Sequence, residues 1–351
     1  MGLLKKAATY TIVDVSGQIP PLKEIKLAIE NTPVVDIEGS SKGEAFGFCH
    51  ISDVYEKGVI QGETVLGFGV RHDKKSTSKE LLKKKYKEAI KKARAEFRGS
   101  KKKMTKDDRR LIKENIQGEL NAGATPIQKL IEVLWDTEGK RLYIGSGSKG
   151  AVDACTNLLI NTFKDATFMP WNPLSPDTEH SGDAKGTKDN FQNAFFTWIF
   201  YKTKVKKDEF WLPVNIKFLQ NDTTVSVRGD TAISLETYLA VYNGRMVDAL
   251  DLGCSVGSGD ARKEYQVSLS RGSWAFKKLS VKPNIEHENI DSAVFERAAA
   301  FREFTECYLK QVREFEEIRN DEKEDGAFWN GLLNLASKQV KEGLENLGVQ
   351  T

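Results

Sequence analysis

The spacing of hydrophobic residues changes along the chain, from every second residue at the start to every third or fourth residue further on. Up to about Arg71, apolar and polar residues alternate in short runs such as 10–15 and 64–70, separated by glycine, proline and serine. A period of two predicts half-buried β-strands joined by turns. Within this part, residues 21–31 follow a helical period and open at a proline, which predicts one amphipathic helix.

The period becomes helical at Lys79. Between Lys79 and Arg98, one stripe of residues spaced by three and four is apolar, and a second stripe at the same spacing is basic. The apolar stripe contains Leu82, Tyr86, Ala89, Ala93 and Phe97, and the basic ridge contains Lys84, Lys87, Lys91, Arg94 and Arg98. Few glutamates interleave with these bases, so the helix repels itself unless an anion lies near.

A second helix is predicted after a break at residues 99–103. Thr105 stands three residues before Asp108, which is the spacing of a helix cap with an acid in the first turn. The helix from about Lys106 to Leu120 is expected to return antiparallel to the first one. Together the two segments predict a protruding basic helical hairpin over residues 73–122.

The remaining segments predict an α+β fold with antiparallel sheets and packed helices. Strands are expected at 128–135 and 140–145 around a turn, and a helix is expected from Ser148 to Phe163. The later segments are an aromatic helix at 191–201, an antiparallel sheet within 209–279, and helices at 290–319 and 327–347. The predicted regions are a central α/β region (1–72 and 123–176), the hairpin (73–122), a linker (177–190), a C-terminal α+β region (191–319) and a helical tail (320–351).

Charge is concentrated on the hairpin. The whole chain has a net charge of +3, but residues 71–113 contain 19 Lys or Arg against 6 acids, a local net charge of +13, so the rest carries −10. Such a local field attracts a polyanion to one place. The candidate DNA-binding residues are Lys84, Lys87, Lys91, Lys92, Arg94, Arg98, Lys101, Lys102, Lys103, Lys106, Arg109 and Arg110. An acidic protein partner is an alternative ligand for the same charge.

Other classes of protein receive less support from the sequence. No apolar run is long enough for a membrane helix, and residues 1–10 lack the features of a secretory signal, so we expect a cytoplasmic protein. The four cysteines and four histidines lie far apart, which predicts free thiols, no metal site and no cofactor.

Three patterns suggest enzymatic alternatives, but each lacks part of the sequence context that its enzyme class requires. Gly145, Gly147 and Gly150 spell GxGxxG, but their strand is predicted to close a hairpin rather than to begin a parallel sheet. The segment 251–259, DLGCSVGSG, resembles the first motif of S-adenosylmethionine-dependent methyltransferases, but the short alternating runs after it predict a meander. A nuclease would have to use scattered carboxylates, of which Asp36, Glu38, Glu44 and Asp53 lie close in sequence. We therefore expect no enzyme activity.

A set of segments in a shared order resembles the RdgC family of recombination-associated proteins. The central part consists of GATPIQK at 123–129, VLWD at 133–136, LYIGSGSK at 142–149, and a helix with Leu158, Leu159 and Phe163. KKKMTK at 101–106 precedes it, and AFFTWIFY at 194–201 and GRMV at 244–247 follow it. The resemblance extends over about residues 9–319.

The resemblance implies a ring-shaped homodimer around duplex DNA. Family members are implied to bind single- and double-stranded DNA with little sequence preference, to associate with the nucleoid, and to restrain strand exchange promoted by RecA. One segment departs from the family pattern. Where the family has Leu-Pro-Arg-Ala-Phe, this chain reads NAGAT at 121–125, which leaves the contact between the two hairpins of a dimer open.

Overall fold

The described part of the chain combines β-strands with α-helices throughout. The structure, a computed structural model, describes residues 2–99, 104–174, 188–205, 210–211, 215–220, 223–228, 235–272, 274–282 and 289–346. These residues contain thirteen strands, antiparallel wherever their pairing is defined, and eight α-helices. The prediction of an α+β fold with antiparallel sheets and packed helices is therefore confirmed.

The elements are numbered in chain order. The strands are β1 (Ala7–Gly17), β2 (Glu44–Cys49), β3 (Ile60–Gln61), β4 (Val65–Lys75), β5 (Pro126–Asp136), β6 (Arg141–Ile144), β7 (Ala166–Pro170), β8 (Phe210–Trp211), β9 (Asn215–Gln220), β10 (Thr223–Arg228), β11 (Met246–Val256), β12 (Lys263–Ser270) and β13 (Phe276–Lys282). The helices are α1 (Leu22–Glu30), α2 (Lys79–Gly99), α3 (Lys106–Ala122), α4 (Lys149–Thr162), α5 (Lys188–Val205), α6 (Leu235–Tyr242), α7 (Ile290–Asn320) and α8 (Glu322–Asn346).

Two compact units divide the chain. Unit 1 consists of Met1–Ser16, Leu134–Val152 and Phe168–Thr351, and unit 2 consists of Gly17–Val133 and Asp153–Thr167. The division into a central region, a hairpin and a C-terminal region that we expected from the sequence stays a prediction. Most of the predicted linker, 177–190, lies outside the described residues, and its last three residues begin α5.

Unit 1 is built on an antiparallel sheet with the strand order β10-β9-β11-β12-β13-β1-β6. Successive side chains of a strand point to opposite faces, so the sheet has one buried face and one more accessible face. In β11, Leu250, Leu252 and Cys254 are buried, whereas Ala249 and Asp251 are half-buried on the opposite face. Helix α7 begins where the Asn289 side chain accepts a hydrogen bond from the Ser292 backbone N–H at 2.9 Å.

Aromatic side chains fill the core of unit 1. The Tyr10 ring stacks on the Phe301 ring of α7 at 4.4 Å between centroids, and Phe276 meets Phe304 edge to face at 5.2 Å. These rings, together with Tyr143, are completely or almost completely buried. Aromatic pairs of this kind add to the energy of burial, so α7 is fixed against β1, β6 and β13.

Unit 2 contains the hairpin. Strand β4 pairs antiparallel with β2 and β3 and is followed along the chain by α2 and α3. Helix α2 spans Lys79–Gly99 where the sequence predicted 79–98, and α3 spans Lys106–Ala122 where it predicted 106–120. The two predicted helices are confirmed. No helix in the described part of the chain is both long and apolar enough to cross a bilayer.

The GxGxxG segment lies outside any parallel β-α-β unit. Strand β6, which precedes it, pairs antiparallel with β1 at Val13↔Leu142 and is the neighbour of β5. At Gly150 an added Cβ would find open space. A dinucleotide fold needs its third glycine for close packing of helix on strand, and that requirement is missing here.

The methyltransferase-like segment forms the end of β11 and the turn after it. Strand β11 pairs antiparallel with β12, and Asp251 lies opposite Ser268, so the predicted meander is confirmed. A Cβ on Gly253 would lie 2.2 Å from the Trp211 indole. Gly253 therefore makes room for a side chain of the same protein, and Gly257 and Gly259 supply the positive φ angles of the turn.

Candidate nucleic-acid interface

The hairpin is anchored at its base by buried polar contacts. Lys75, at the end of β4, is only 6% exposed, and its ammonium donates to the carbonyl oxygens of Ser40 and Asn121, both at 2.8 Å. The Asn121 side chain donates to the Ser41 carbonyl at 3.0 Å. Gln117 of α3 donates to the Thr77 hydroxyl at 2.8 Å, just before α2. These bonds join the start of α2 to the end of α3.

The other end of α3 has its own cap. The Thr105 hydroxyl accepts from the Asp108 backbone N–H at 3.2 Å, and the Asp108 carboxylate accepts from the Thr105 backbone N–H at 2.8 Å. This reciprocal capping box confirms the predicted helix start. The Thr105 hydroxyl also donates to the Asp108 carboxylate, at 2.8 Å, and the two bonds that Thr105 donates hold the pKa of the Asp108 carboxyl below its usual value.

Two of the basic residues counted in the sequence serve the fold. The Arg71 guanidinium donates to both carboxylate oxygens of Asp73 at 2.7 and 2.6 Å, and both side chains are buried. Lys75 is the buried anchor of the hairpin. Charge counting did not reveal this, because it does not show that Arg71 and Asp73 share a face of β4 or that Lys75 is buried by tertiary contacts. The positive charge available to a ligand is therefore smaller than the local net charge suggests.

The candidate residues on α2 are available to a ligand. Lys84, Lys87, Lys91, Lys92 and Arg94 are all exposed, and none of them has an ion-pair partner within the described residues. Lys92 lies about 120° around the helix from the centre of the basic ridge, at 100° per residue. The ridge and Lys92 therefore face different directions.

The candidates on α3 differ in their pairing. Lys106 and Arg109 are exposed and have no ion-pair partner in the described part of the chain. Arg110 is exposed but lies 3.7 Å from both Asp107 and Glu114 of the same helix. Lys101, Lys102 and Lys103 lie outside the described residues, as does the side chain of Arg98, whose backbone belongs to α2.

A cleft between α2 and α3 brings four of the candidates together. It has a volume of about 690 Å³, and its lining includes Lys87, Lys91 and Arg94 of the basic ridge and Arg109 of α3. Tyr86 and Ile90 belong to the same lining. Arg109 lies near the start of α3 and faces the second half of α2, as the predicted antiparallel arrangement requires. Four cations around one cleft suit phosphate groups of a polyanion.

The carboxylates considered for a nuclease are engaged locally. Asp36 accepts from the Glu38 backbone N–H, Asp53 accepts from the Tyr55 backbone N–H, and Glu44 lies 2.5 Å from His72. Among the described residues, no group of three or more His, Cys, Asp or Glu side chains is placed to hold a metal ion. The four cysteines are free thiols in the structure, as predicted.

Comparison with known proteins identifies the family. Residues 6–181 match the model of a family described as "Putative exonuclease, RdgC", which is half of the chain and includes the whole hairpin. The chain belongs to the RdgC family. No curated protein matches the chain. The resemblance to the RdgC family found in the sequence is thus confirmed, although its extension beyond residue 181 stays a prediction.

One residue of the RdgC-like segment at 133–136 has a clear structural role. Asp136 is completely buried, accepts from the Gly139 backbone N–H at 2.8 Å, and receives two hydrogen bonds from the Arg302 guanidinium of α7 at 2.6 and 2.8 Å. The carboxylate therefore closes the turn between β5 and β6 and holds α7 at the same time. Nothing in the sequence linked Asp136 to Arg302.

Proposed function

We propose that this RdgC-family chain is a sequence-independent DNA-binding protein of homologous recombination. Membership of the family fits a recombination-related, DNA-associated role. The observation that carries the proposal is the cleft between α2 and α3, where Lys87, Lys91, Arg94 and Arg109 lie together and form no ion pair with any acid of the described residues.

The physical basis of binding is release of counterions from the phosphate backbone. Lysine and arginine side chains neutralise phosphates wherever the backbone passes, so affinity depends strongly on salt and weakly on base sequence. We further propose, from the family resemblance, a nucleoid-associated homodimer that closes a ring around duplex DNA and restrains strand exchange by RecA. Residues 121–125 depart from the family pattern where the contact between the two hairpins of a dimer is expected. In this chain Asn121 anchors the base of its own hairpin instead.

The salt dependence of duplex binding tests the proposal. The variant K87Q/K91Q/R94Q/R109Q removes the four cations of the cleft. If each contacts one phosphate, the slope of log K against log salt becomes less steep by about 0.9 for each, or about 3.6 in total. Affinity should fall alike for duplexes of different sequence.

A matched control removes four exposed lysines elsewhere in unit 2. The variant K23Q/K42Q/K57Q/K164Q lowers the net charge equally, and all four side chains are exposed. We expect a slope close to that of the wild type. Equal slopes for wild type and the cleft variant would overturn the proposal. Mass measurement with and without a duplex, at low and high salt, tests the ring dimer.

Exonuclease activity is the second candidate, because the family description names it. We propose binding without chemistry as the main function, and a direct assay separates the two. End-labelled duplex and single-stranded DNA are incubated with the protein and Mg²⁺ or Mn²⁺. Nucleotides released only when both the metal ion and this protein are present would assign the nuclease function. Calorimetry with S-adenosylmethionine tests the methyltransferase alternative in the same way.

A further inference from the structure

A second groove with basic side chains lies in unit 1, on strands β9 to β13. Helix α5 packs on the buried side of β11, where the Asn193 side chain donates to the Val247 carbonyl at 2.7 Å. The groove, of about 470 Å³, runs along the other side of the sheet. Its lining includes the small residues Ala249, Ser268 and Ser270, which leave room for the groove among the described side chains of these strands. We call this side of the five strands the groove face.

Four cations line the groove. Lys217 lies 3.2 Å from Asp248, and Lys277 donates to the Ser270 hydroxyl at 2.8 Å, so these two side chains are held in place. Arg228 of β10 and Lys278 of β13 are exposed and have no ion-pair partner among the described residues. They stand on the two outer strands of the five, at opposite sides of the groove.

One acid belongs to the lining, and its oxygens are already engaged. Asp251 accepts from the Asn215 side-chain amide at 2.6 Å through one carboxylate oxygen and from the Ser268 hydroxyl at 2.6 Å through the other. Asp248 neutralises Lys217, so three further cations face the one carboxylate of the lining and leave the groove positive. The ligand that such a groove recognises is an anion, and its length across five strands, roughly 19 Å at the usual strand spacing, suits a polymer of phosphates.

An aromatic ring lies on the same face, two positions along β11 from Asp251 of the groove lining. Side chains two residues apart on a strand share a face, so the position of Gly253 lies on the side of Asp251. The Trp211 indole covers Gly253, at 2.2 Å from where a Cβ would be. Trp211 is half-buried, and the part of its ring that remains accessible can stack with an unpaired base, whereas the bases of a duplex are already stacked and paired. This favours a single strand over a duplex.

We propose that the groove face binds the single-stranded form of the nucleic acid, with phosphates on Arg228, Lys278, Lys217 and Lys277 and a base on Trp211. This surface lies beyond residue 181, outside the segment that matches the family. The inference extends the proposed function, since it assigns single-strand binding to a second surface of a DNA-binding protein. It does not depend on the hairpin cleft being the duplex site.

The test uses the full chain and an unstructured oligothymidylate. The variant R228Q/K278Q removes the two unpaired cations and leaves Lys217 and Lys277 in place. Each phosphate contact on a single strand contributes about 0.7 to the logarithmic salt slope, so the slope should become less steep by about 1.4. The control K310Q/R313Q removes two exposed charges from α7 and should keep the wild-type slope.

Trp211 is tested by two substitutions. W211L should weaken oligothymidylate binding about five-fold or more, because stacking of a base on an aromatic ring is lost. W211F keeps an aromatic ring over Gly253 and should restore most of the affinity. Near-ultraviolet circular dichroism checks that both variants retain the packed core. Equal weakening by W211L and W211F would remove the stacking part of the proposal.

The result must be separable from that for the hairpin. The variant K87Q/K91Q/R94Q/R109Q is measured on the same oligothymidylate and on a duplex. Both assignments are supported if only the hairpin variant changes the salt slope for the duplex and R228Q/K278Q changes the salt slope for the single strand. A single-strand slope that R228Q/K278Q leaves unchanged, or that K310Q/R313Q changes equally, overturns the groove proposal and leaves the hairpin proposal intact. An unchanged duplex slope for the hairpin variant overturns the hairpin proposal alone.

Discussion

The substitution Asp136→Asn tests whether the buried carboxylate of the RdgC-like segment holds unit 1 together. Asparagine has nearly the same shape and keeps one oxygen that can accept from the Gly139 N–H. Its amide, however, presents N–H groups to the Arg302 guanidinium, which has only donors. The oxygen that accepts from Gly139 also accepts from the Arg302 Nη2 at 2.6 Å, so that bond can remain. The substitution removes the bond from the Arg302 Nε at 2.8 Å, places two donors against each other there, and removes the buried negative charge, with little change in volume.

The expected cost follows from burial and charge. Hydrogen bonds to charged groups contribute about 1.5–3 kcal/mol each, and breaking a buried ion pair costs roughly 3–5 kcal/mol. Asp136 is completely buried, but the Arg302 side chain is 36% exposed, so water screens part of the attraction. We expect the free energy of unfolding to fall by about 2–3 kcal/mol, at the lower end of these ranges. For a unit of this size, that lowers the Tm by roughly 4–12 °C.

The structure supplies a matched control on the same arginine. Arg302 also contacts Glu138 at 3.0 Å, but the Glu138 side chain is 64% exposed. An exposed ion pair contributes at most about 1 kcal/mol, so E138Q should change the free energy of unfolding much less than D136N. Calorimetric and urea unfolding of both variants measure the difference. Equal losses would refute the reasoning, because they would mean that burial of Asp136 does not strengthen its bond to Arg302.

Three further expectations concern a cap, two thiols and two glycines. T105A should cost α3 about 1 kcal/mol and speed hydrogen exchange of its first-turn amides, whereas unchanged exchange would show that the capping box contributes nothing. Burial raises the pKa of the Cys49 and Cys155 thiols from 9.0 to about 12, so the unfolded chain loses these protons first. The contribution of the two thiols to the free energy of unfolding should be fully present below pH 9 and be lost as the pH rises toward 12. Urea titrations at pH 8 and 10.5 measure the difference. G150A should leave Tm unchanged or raise stability by up to about 1 kcal/mol, while G47A, whose Cβ would lie 2.1 Å from the Val34 Cα, should lower Tm sharply.

Local patterns predicted the hairpin well because its signals are contained within a few turns. The apolar stripe repeats over five positions of α2, and the cap at Thr105 depends on residues three apart. Both signals act through the nearest neighbours along the chain. The helix boundaries therefore agreed within two residues, and the capping box was found where the sequence placed it.

The site could be predicted only in part, because its composition depends on tertiary register. Arg71 and Lys75 add to the charge of the sequence, but neither is free to bind a ligand. Arg71 is hydrogen-bonded to Asp73, and Lys75 is hydrogen-bonded to two backbone carbonyls. Arg109 joins the ridge of α2 only because the turn between the helices sets how far α3 is displaced along α2. Charge counting does not show which cations are buried, and neither charge nor period sets the register of two helices.

The groove face was missed for the same physical reason. Its cations come from three strands whose order in the sheet, β10-β9-β11-β12-β13, is set by pairing between distant residues. In the sequence, Gly253 belonged to a glycine motif that suggested a cofactor. The structure gives it a different explanation, since Trp211 occupies the space that the missing side chain leaves.

The hairpin's energetics connect its fold to the proposed ligand. Its firm contacts lie at the base, around Lys75 and Asn121, and every described side chain of α2 is exposed or half-buried. Along α2, Lys83, Lys87 and Lys91 follow one another at four-residue spacing, and each such pair of like charges costs a few tenths of a kcal/mol. A helix with little burial and uncompensated repulsion is held only marginally. Under the proposed function, a bound phosphate backbone removes the repulsion and stabilises α2 through the same contacts that give affinity. The proposal therefore implies that the charge pattern that weakens the free hairpin couples its order to the presence of a polyanion.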